Sequence, residues 1–249
     1  MGRAMAQDGA KIRLYLDAPL AADGVVDLAR EQAHYLFVVM RQAVGARLLV
    51  FNGTDGEWLA EVAEAGKRGG QLRLVEQTRP QDRPPDLWLM FAPVKKARTD
   101  FIAEKACEMG CRRIVPVFTR HTNSERVNVD RLRAHAVEAA EQCGILTVPE
   151  VAEPVALDRL LADWDANRRI LFCDESGAGR PAREVLLEAG PGAWAVLTGP
   201  EGGFAPEEAA RLRALPCAHA ASLGPRILRA DTAAVAALAL WQASIGDWR

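Results

Sequence analysis

The stretch Leu197-Thr198-Gly199-Pro200-Glu201-Gly202-Gly203-Phe204, hereafter the glycine loop (Leu197–Phe204), links an apolar run at Trp194–Thr198 to a helix predicted from Pro206. The apolar run predicts a buried strand, and Glu207 and Glu208 are typical of the first turn of a helix. Open α/β sheets bind ligands at the carboxyl ends of strands, where glycine allows close approach to the backbone. The stretch therefore predicts a small-molecule site. A tight turn that needs glycine only for its geometry is the alternative.

Predicted strands and helices alternate on both sides of this loop. The predicted strands are Leu87–Ala92, Ile114–Phe118, Val148–Val151, Ile170–Cys173 and Trp194–Thr198, and the predicted helices are Thr99–Met109, Arg131–Gln142, Leu157–Trp164, Pro206–Leu215 and a last helix after Pro225. This alternation predicts an α/β fold with a mostly parallel sheet between helices. The last helix, Thr232–Ile245, is apolar at 11 of 14 positions, so we expect it to be buried, between layers or against a second subunit.

The first 80 residues have a different pattern. Short alternating runs predict strands at Ile12–Leu16, Arg47–Phe51, Glu57–Ala63 and Gln71–Val75, with one helix at Ala29–Met40. Arg79–Pro85 is polar and contains three prolines, so it predicts a linker. We therefore expect a small β-barrel-like domain at residues 1–80 and an α/β domain at residues 81–249.

Composition narrows the class of protein. The 249 residues include 31 Lys and Arg against 33 Asp and Glu, so the net charge of −2 does not indicate a bulk polyanion partner. The chain has no run of 18 apolar residues, and Met1–Lys11 lacks the apolar core of a secretory signal, so we expect a cytoplasmic protein without membrane contact. Five cysteines without a Cys-x-x-Cys pair favour reduced thiols, and no cluster has metal-ligand spacing, so no metal is expected.

The glycine loop does not fit two common nucleotide sites. A P-loop requires Gly-Lys followed by Ser or Thr, and this loop contains no lysine. A Rossmann site places its glycines after the first strand, where this chain has Ala92-Pro93-Val94-Lys95. We therefore expect the glycine loop to bind its ligand neither as a P-loop nor as a Rossmann loop does.

A second loop carries two arginines. Ser222-Leu223-Gly224-Pro225-Arg226-Ile227-Leu228-Arg229, hereafter the arginine loop (Ser222–Arg229), directly precedes the last helix. The amino-terminal end of a helix beside Arg226 and Arg229 favours an anion such as an RNA phosphate or a ligand carboxylate. Surface ion pairs of these arginines with Asp231 or Glu201 are the alternative.

The segment from Lys95 to Arg133 is basic. It contains ten Lys and Arg against five Asp and Glu, which suggests a surface that binds phosphate. A solvated helix face is the alternative. Lys95, Lys96 and Arg98 follow a predicted strand end, so they are expected on the same rim of the sheet as the glycine loop.

Together these motifs resemble the bacterial 16S ribosomal RNA uridine-N3 methyltransferases of the RsmE type, within the SPOUT superfamily of trefoil-knotted enzymes that use S-adenosylmethionine (SAM). The resemblance covers nearly the whole chain. Its motifs are the glycine loop, Leu223–Arg229 of the arginine loop, the helix His34–Arg41, Glu104–Gly110 followed by Ile114–Pro116, and Glu138–Gln142.

The resemblance implies a PUA-like RNA-binding β-barrel domain at residues 1–80 and a knotted, parallel-sheet SPOUT methyltransferase domain at residues 81–249, working as a homodimer. It also implies SAM as cofactor and 16S ribosomal RNA or the assembled small ribosomal subunit as partner. The residues implied to bind SAM are Leu197, Thr198, Gly199, Pro200, Gly202, Gly203, Ser222, Leu223, Gly224, Ile227 and Leu228.

The chemistry of uridine N3 adds further candidates. N3 is a poor nucleophile until its proton leaves, so the site needs a base or a stabilising cation. Arg229 is the candidate cation and Glu201 the candidate base. The candidate RNA-binding residues are Lys95, Lys96, Arg98, Arg120, His121, Arg126, Arg226 and Arg41. A SPOUT methyltransferase for another RNA base, and a non-catalytic ribosomal RNA-binding assembly protein, remain alternatives.

Overall fold

The computed structural model describes residues 10–66, 68–124, 126–176 and 179–248. The chain divides into two compact units, which are the described residues of Met1–Arg83 with Ala140–Thr147 and those of Pro84–Ala139 with Val148–Arg249. Most of the amino-terminal segment considered for a secretory signal, residues 1–9, lies outside the described residues. In the described ranges, no helix combines the length and apolarity needed to cross a membrane.

The first unit is built on a five-stranded sheet. Its elements are β1 (Arg13–Tyr15), β2 (Val25–Asp27), α1 (Arg30–His34), a π-helical turn (Tyr35–Val39), β3 (Arg47–Phe51), β4 (Glu57–Ala65) and β5 (Gly70–Arg79). The sheet order is β1-β3-β4-β5-β2, and the β1–β3 pair is parallel whereas the others are antiparallel. Alternate apolar residues such as Leu48 and Val50 point into one core.

Arg13 on β1 holds Ala140–Thr147 in this first unit. One guanidinium nitrogen, Nη1, donates to the Ala140 carbonyl at 2.5 Å, and Nε donates to the Glu57 carboxylate at 2.8 Å. The same guanidinium lies 4.4 Å from the centre of the Phe51 ring. Both side chains of the ion pair are almost buried, so the charge of Arg13 has lost most of its hydration. The carboxylate and carbonyl partners compensate for this loss.

The second unit contains the remaining elements. They are β6 (Leu87–Phe91), α2 (Lys96–Glu108), β7 (Arg113–Phe118), α3 (Val129–Cys143, whose end belongs to the first unit), β8 (Glu150–Val151), β9 (Val155–Ala156), α4 (Leu157–Ala162), β10 (Arg169–Cys173), β11 (Arg180–Pro181), α5 (Ala182–Ala189), β12 (Trp194–Thr198), α6 (Pro206–Ala214), β13 (Ala218–Ser222) and α7 (Ala230–Ile245). The sheet order is β11-β13-β10-β12-β6-β7-β8, with β9 paired to β7, and these pairs are parallel.

Helices cover both faces of this sheet. Leu89 of β6 belongs to the core cluster that includes residues of α2, α5 and α7, whereas the next residue, Met90, belongs to the cluster on the side of α4 and α6. These positions confirm the predicted α/β fold with a parallel sheet. Helix α7 packs against α2, α5 and β12 within its own unit, which explains its apolar sequence. The knot implied by the resemblance stays a prediction.

The structure differs from the predicted elements in several places. Strand β13 was not predicted, because its sequence Ala-His-Ala-Ala-Ser has few of the branched and aromatic residues that favour strands. Helix α5 and the short strands β2, β9 and β11 were not predicted either. Helix α2 begins at Lys96 instead of Thr99, which places Lys96 and Arg98 in its first turn.

Candidate active site

A cavity of about 410 Å³ opens at the carboxyl ends of β10 and β13. Cavities of roughly 300–1,000 Å³ are usual for small-molecule ligands. The lining residues are Cys173, Asp174, Glu175, Ser176, Ala221, Ser222, Leu223, Gly224, Pro225, Arg226, Ile227, Leu228 and Ala233. They come from the ends of β10 and β13, from the arginine loop and from the first turn of α7. The cavity therefore lies where a parallel sheet is expected to bind a ligand.

The arginine loop supplies an apolar wall to this cavity. Gly224 has φ +118°, a conformation that side chains rarely adopt, and its N–H donates to Ser222 Oγ at 3.2 Å. This turn presents Leu223 and Leu228 to the cavity, and Ile227 leaves 89% of its surface exposed. An isoleucine so exposed beside a cavity favours a ligand with an apolar face that would cover it.

Asp174 gives the cavity a fixed negative charge. Its carboxylate is buried and lies 2.5 Å from Nη2 of Arg213. Burial raises the pKa of Asp174, but hydrogen bonds from Arg213 and Ser176 outweigh this effect, so the pKa stays below its ordinary value. Asp174 is therefore a charged residue that is already paired by the protein.

Glu175 joins the cavity to the glycine loop. Its Oε1 accepts a hydrogen bond from the Phe204 backbone N–H at 2.9 Å. Gly203 has φ +70°, and a Cβ at this position would lie 2.2 Å from the same oxygen. The backbone conformation therefore favours glycine at position 203, and a side chain there would displace the Glu175 carboxylate. Glu175 was not among the predicted site residues, and its only signal was its position after a strand.

The cavity contains no activated cysteine nucleophile. Cys173 is its single cysteine, and burial, followed by the nearby Glu175 charge, raises the pKa of its thiol to about 12. The thiol therefore stays protonated near neutral pH and is unreactive. Across the described ranges, no group of three His, Cys, Asp or Glu residues could hold a metal ion.

The glycine loop lies at the end of β12, beside β10, and is packed by protein groups. A Cβ at Gly199 would lie 2.7 Å from the Phe204 ring, and one at Gly202 would lie 3.2 Å from His121. His121 Nδ1 is 3.1 Å from the Gly202 carbonyl. Among the described residues, Leu197–Gly203 do not line the cavity, and Glu175 is their connection to it. These contacts show that close packing is one reason for the glycines.

Arg98 on helix α2 connects the glycine loop to the start of α7. Its guanidinium lies 3.6 Å from the Glu201 carboxylate on the glycine loop and 3.9 Å from the Asp231 carboxylate at the start of α7. One oxygen of Asp231, Oδ1, is buried and lacks a hydrogen-bond partner among the described residues. Arg98 therefore takes the two carboxylates that were considered as partners for the arginines of the arginine loop.

Those two arginines are free for a ligand. Arg226 and Arg229 are exposed, and within the described part of the chain neither lies within 4.0 Å of a carboxylate. Arg226 lines the cavity, and Arg229 directly follows the cavity residue Leu228 in the chain, so the arginine loop carries the exposed cations that the sequence predicts for an anion site.

The other predicted RNA-binding residues are placed as follows. Lys95 and Lys96 are exposed at the start of α2, on the same unit as the cavity. Arg120 and Arg126 are exposed in the connection from β7 to α3, which also contains His121. Arg41 is exposed on the first unit with φ +52°, and it is not one of the residues that the structure brings together at the cavity.

Family profiles match both parts of the chain. A profile described as "RNA methyltransferase domain" matches residues 81–242, and one described as "RNA methyltransferase PUA domain" matches residues 28–75. The second match confirms the predicted PUA-like character of the amino-terminal region.

Curated relatives match over nearly the whole length. A ribosomal RNA small subunit methyltransferase E from Rickettsia conorii is 31% identical over 229 residues, which cover 91% of this chain and 93% of that protein. A protein of the same name from Buchnera aphidicola is 24% identical and covers 94% of this chain and 97% of its own length.

Solved structures agree with these matches. A Legionella pneumophila protein solved with SAM has a TM-score of 0.86 at 27% identity, covering 95% of this chain and 98% of its own. A ribosomal RNA small subunit methyltransferase E from Neisseria gonorrhoeae, bound to SAM, has a TM-score of 0.82 at 25% identity and covers 96% and 99%. With these matches, the chain belongs to the family of the ribosomal RNA small subunit methyltransferases E.

Proposed function

We propose that this protein uses SAM to methylate N3 of a uridine in the 16S ribosomal RNA of the small subunit. The observation that carries this proposal is the cavity at the ends of β10 and β13, which the arginine loop lines. Relatives of this chain are named ribosomal RNA small subunit methyltransferases E, which agrees with a cavity for SAM. The partition into a PUA-like domain at residues 1–80 and a knotted SPOUT domain at residues 81–249, the homodimer and the uridine position are parts of the same proposal.

The cavity fits SAM in size and chemistry. Its volume suits a nucleoside-sized ligand, and Leu223, Ile227 and Leu228 offer apolar side chains to an adenine. We propose that Ser222–Leu228 hold the cofactor and that Leu197–Gly203 bound it from the neighbouring strand β12. When bound, SAM supplies an electrophilic methyl group on a sulfonium.

Arg229 and Glu201 are the proposed catalytic residues. Methylation needs N3 of uridine without its proton, which leaves negative charge on the ring. Arg229 is exposed, directly follows the cavity residue Leu228 in the chain and has no carboxylate within ion-pair distance among the described residues, so its charge is available to stabilise that ring. Glu201 is the proposed proton acceptor, and Arg98, 3.6 Å away, orients its carboxylate.

The RNA is proposed to reach this site as an unpaired strand. N3 of uridine lies on the pairing edge of the base, so a paired uridine cannot present it. Lys95, Lys96, Arg120, Arg126 and Arg226 are exposed cations that suit phosphate contacts. We also assign Arg98, His121 and Arg41 to the RNA surface, although Arg98 and His121 contact the glycine loop as well.

Methyl transfer with labelled SAM tests this proposal. The substrates are 16S ribosomal RNA and isolated small subunits, both from a strain that lacks the protein, and the product is mapped by mass spectrometry. We expect methyl incorporation at N3 of one uridine. Incorporation at another base would support the alternative RNA methyltransferase, and an absence of SAM binding with and without RNA would leave only the non-catalytic alternative.

A further inference from the structure

Glu175 is the cavity residue whose negative charge is not compensated. The neighbouring carboxylate, Asp174, is paired with Arg213. Glu175 instead accepts from the neutral Phe204 N–H, and no Lys, Arg or His of the described ranges lies within 4.0 Å of its carboxylate. Arg226 lines the same cavity but lies beyond this distance.

The carboxylate of Glu175 is also held in place. The bond from Phe204 and the missing side chain at Gly203 fix Oε1 against the glycine loop. A charge that is already oriented loses less conformational entropy when a ligand binds than the charge of a mobile surface side chain does. The cavity therefore carries a negative charge at a defined position.

We propose that Glu175 is a specificity-determining residue that makes the cavity prefer a sulfonium nucleoside over the corresponding neutral thioether. This inference rests on the proposed function. After methyl transfer the sulfur keeps the electron pair of the broken S–CH₃ bond and becomes neutral, so the attraction to Glu175 is lost. Glu175 therefore favours donor over product and promotes product release.

The size of this preference follows from the exposure of Glu175. Its side chain is exposed at the cavity edge, where charge pairs are screened by water. Interactions of this kind contribute about 0.2–1 kcal/mol, which corresponds to a change of up to about fivefold in the dissociation constant. The affinity for a neutral ligand is expected to stay the same.

Glu175→Gln separates the charge from the hydrogen bond. The amide oxygen of glutamine still accepts from the Phe204 N–H, so the glycine loop keeps its contact. Glu184→Gln on helix α5 is the matched control, because it removes one negative charge from an exposed position that does not line the cavity. Thermal unfolding of both variants checks that the fold is kept.

Calorimetry of the full-length protein with SAM, S-adenosylhomocysteine and sinefungin is the test. S-adenosylhomocysteine is the neutral thioether, and sinefungin carries an ammonium group in place of the sulfonium. In Glu175→Gln we expect the affinities for SAM and sinefungin to fall by about two- to fivefold and the affinity for S-adenosylhomocysteine to remain, whereas Glu184→Gln changes none of them.

The outcomes distinguish this inference from the function on which it rests. If the unmodified protein binds all three ligands and Glu175→Gln weakens them equally, or weakens none, the inference is overturned and the proposed function is untouched. If the unmodified protein binds neither SAM nor S-adenosylhomocysteine, the proposed function fails and the inference fails with it.

Discussion

Gly203→Ala is predicted to disrupt the link between the glycine loop and the cavity. The backbone at Gly203 has φ +70°, which costs an alanine about 1–2 kcal/mol. The new Cβ would lie 2.2 Å from Glu175 Oε1, so the carboxylate must move and the hydrogen bond from Phe204 is lost, at a further cost of about 1 kcal/mol. We therefore expect a total loss of about 2–3 kcal/mol in the free energy of unfolding.

Gly190→Ala is the matched control for this prediction. Gly190 also has positive φ, +75°, and no atom lies within 4 Å of a Cβ built there, so Gly190→Ala adds backbone strain without a new contact; its ψ of 179° is one that glycine almost alone adopts. Both positions belong to the second unit, so urea unfolding can compare the same transition. Calorimetry with SAM is the second assay, and we expect weaker binding only in Gly203→Ala. Equal SAM affinity in the two variants would refute the role of the Glu175 contact.

Four other predictions test separate parts of the site and fold. Gly202→Val should block SAM binding without unfolding the protein, because the valine side chain would displace His121 and the glycine loop. Calorimetry measures the SAM affinity and circular dichroism checks the fold. An unchanged SAM affinity would contradict this prediction. Arg229→Ala should lower turnover more than SAM affinity, and normal turnover would assign the cationic role to another group. Arg13→Met should cost about 2–3 kcal/mol of stability in urea unfolding, since it removes the nearer of the two arginines beside the buried Glu57 carboxylate and leaves only Arg79, at 3.8 Å. Folding lowers the pKa of Asp174, so the ionised carboxylate stabilises the folded protein at neutral pH. This contribution is lost as the pH falls below about 4. Asp174→Asn should therefore lose less stability than the unmodified protein between about pH 5 and pH 3.

The apolar runs of the sequence predict most of the second unit, because a parallel sheet covered on both faces needs continuous apolar strands. Trp194–Thr198 has the bounds predicted for it, and five buried residues explain why. Strand β13 was missed since its small residues carry no such signal; its place is determined by pairing with β10 and β11. Pairing with neighbouring strands, and not its own composition, therefore makes this segment a strand that leads into the arginine loop.

The site was predicted in part for the same reason. A strand end followed by glycines indicates a ligand-binding edge, and the arginine loop does line the cavity. The contacts of Arg98 and His121 with the glycine loop depend on residues about 80 to 100 positions away in the chain, which no local pattern encodes. Glu175 belongs to the same class, because its partner is a backbone N–H 29 positions later.

The anchoring of Ala140–Thr147 by Arg13 limits how the protein can be dissected. A recombinant fragment that stops near Arg83 would keep the arginine and remove the carbonyl oxygens to which it donates. In such a fragment the almost buried guanidinium of Arg13 would lack these hydrogen-bond acceptors. We therefore expect the fragment to be poorly stable. Appending residues 140–147 through a short designed tether should restore the stability of the fragment. The first unit thus consists of two stretches that are far apart in the sequence.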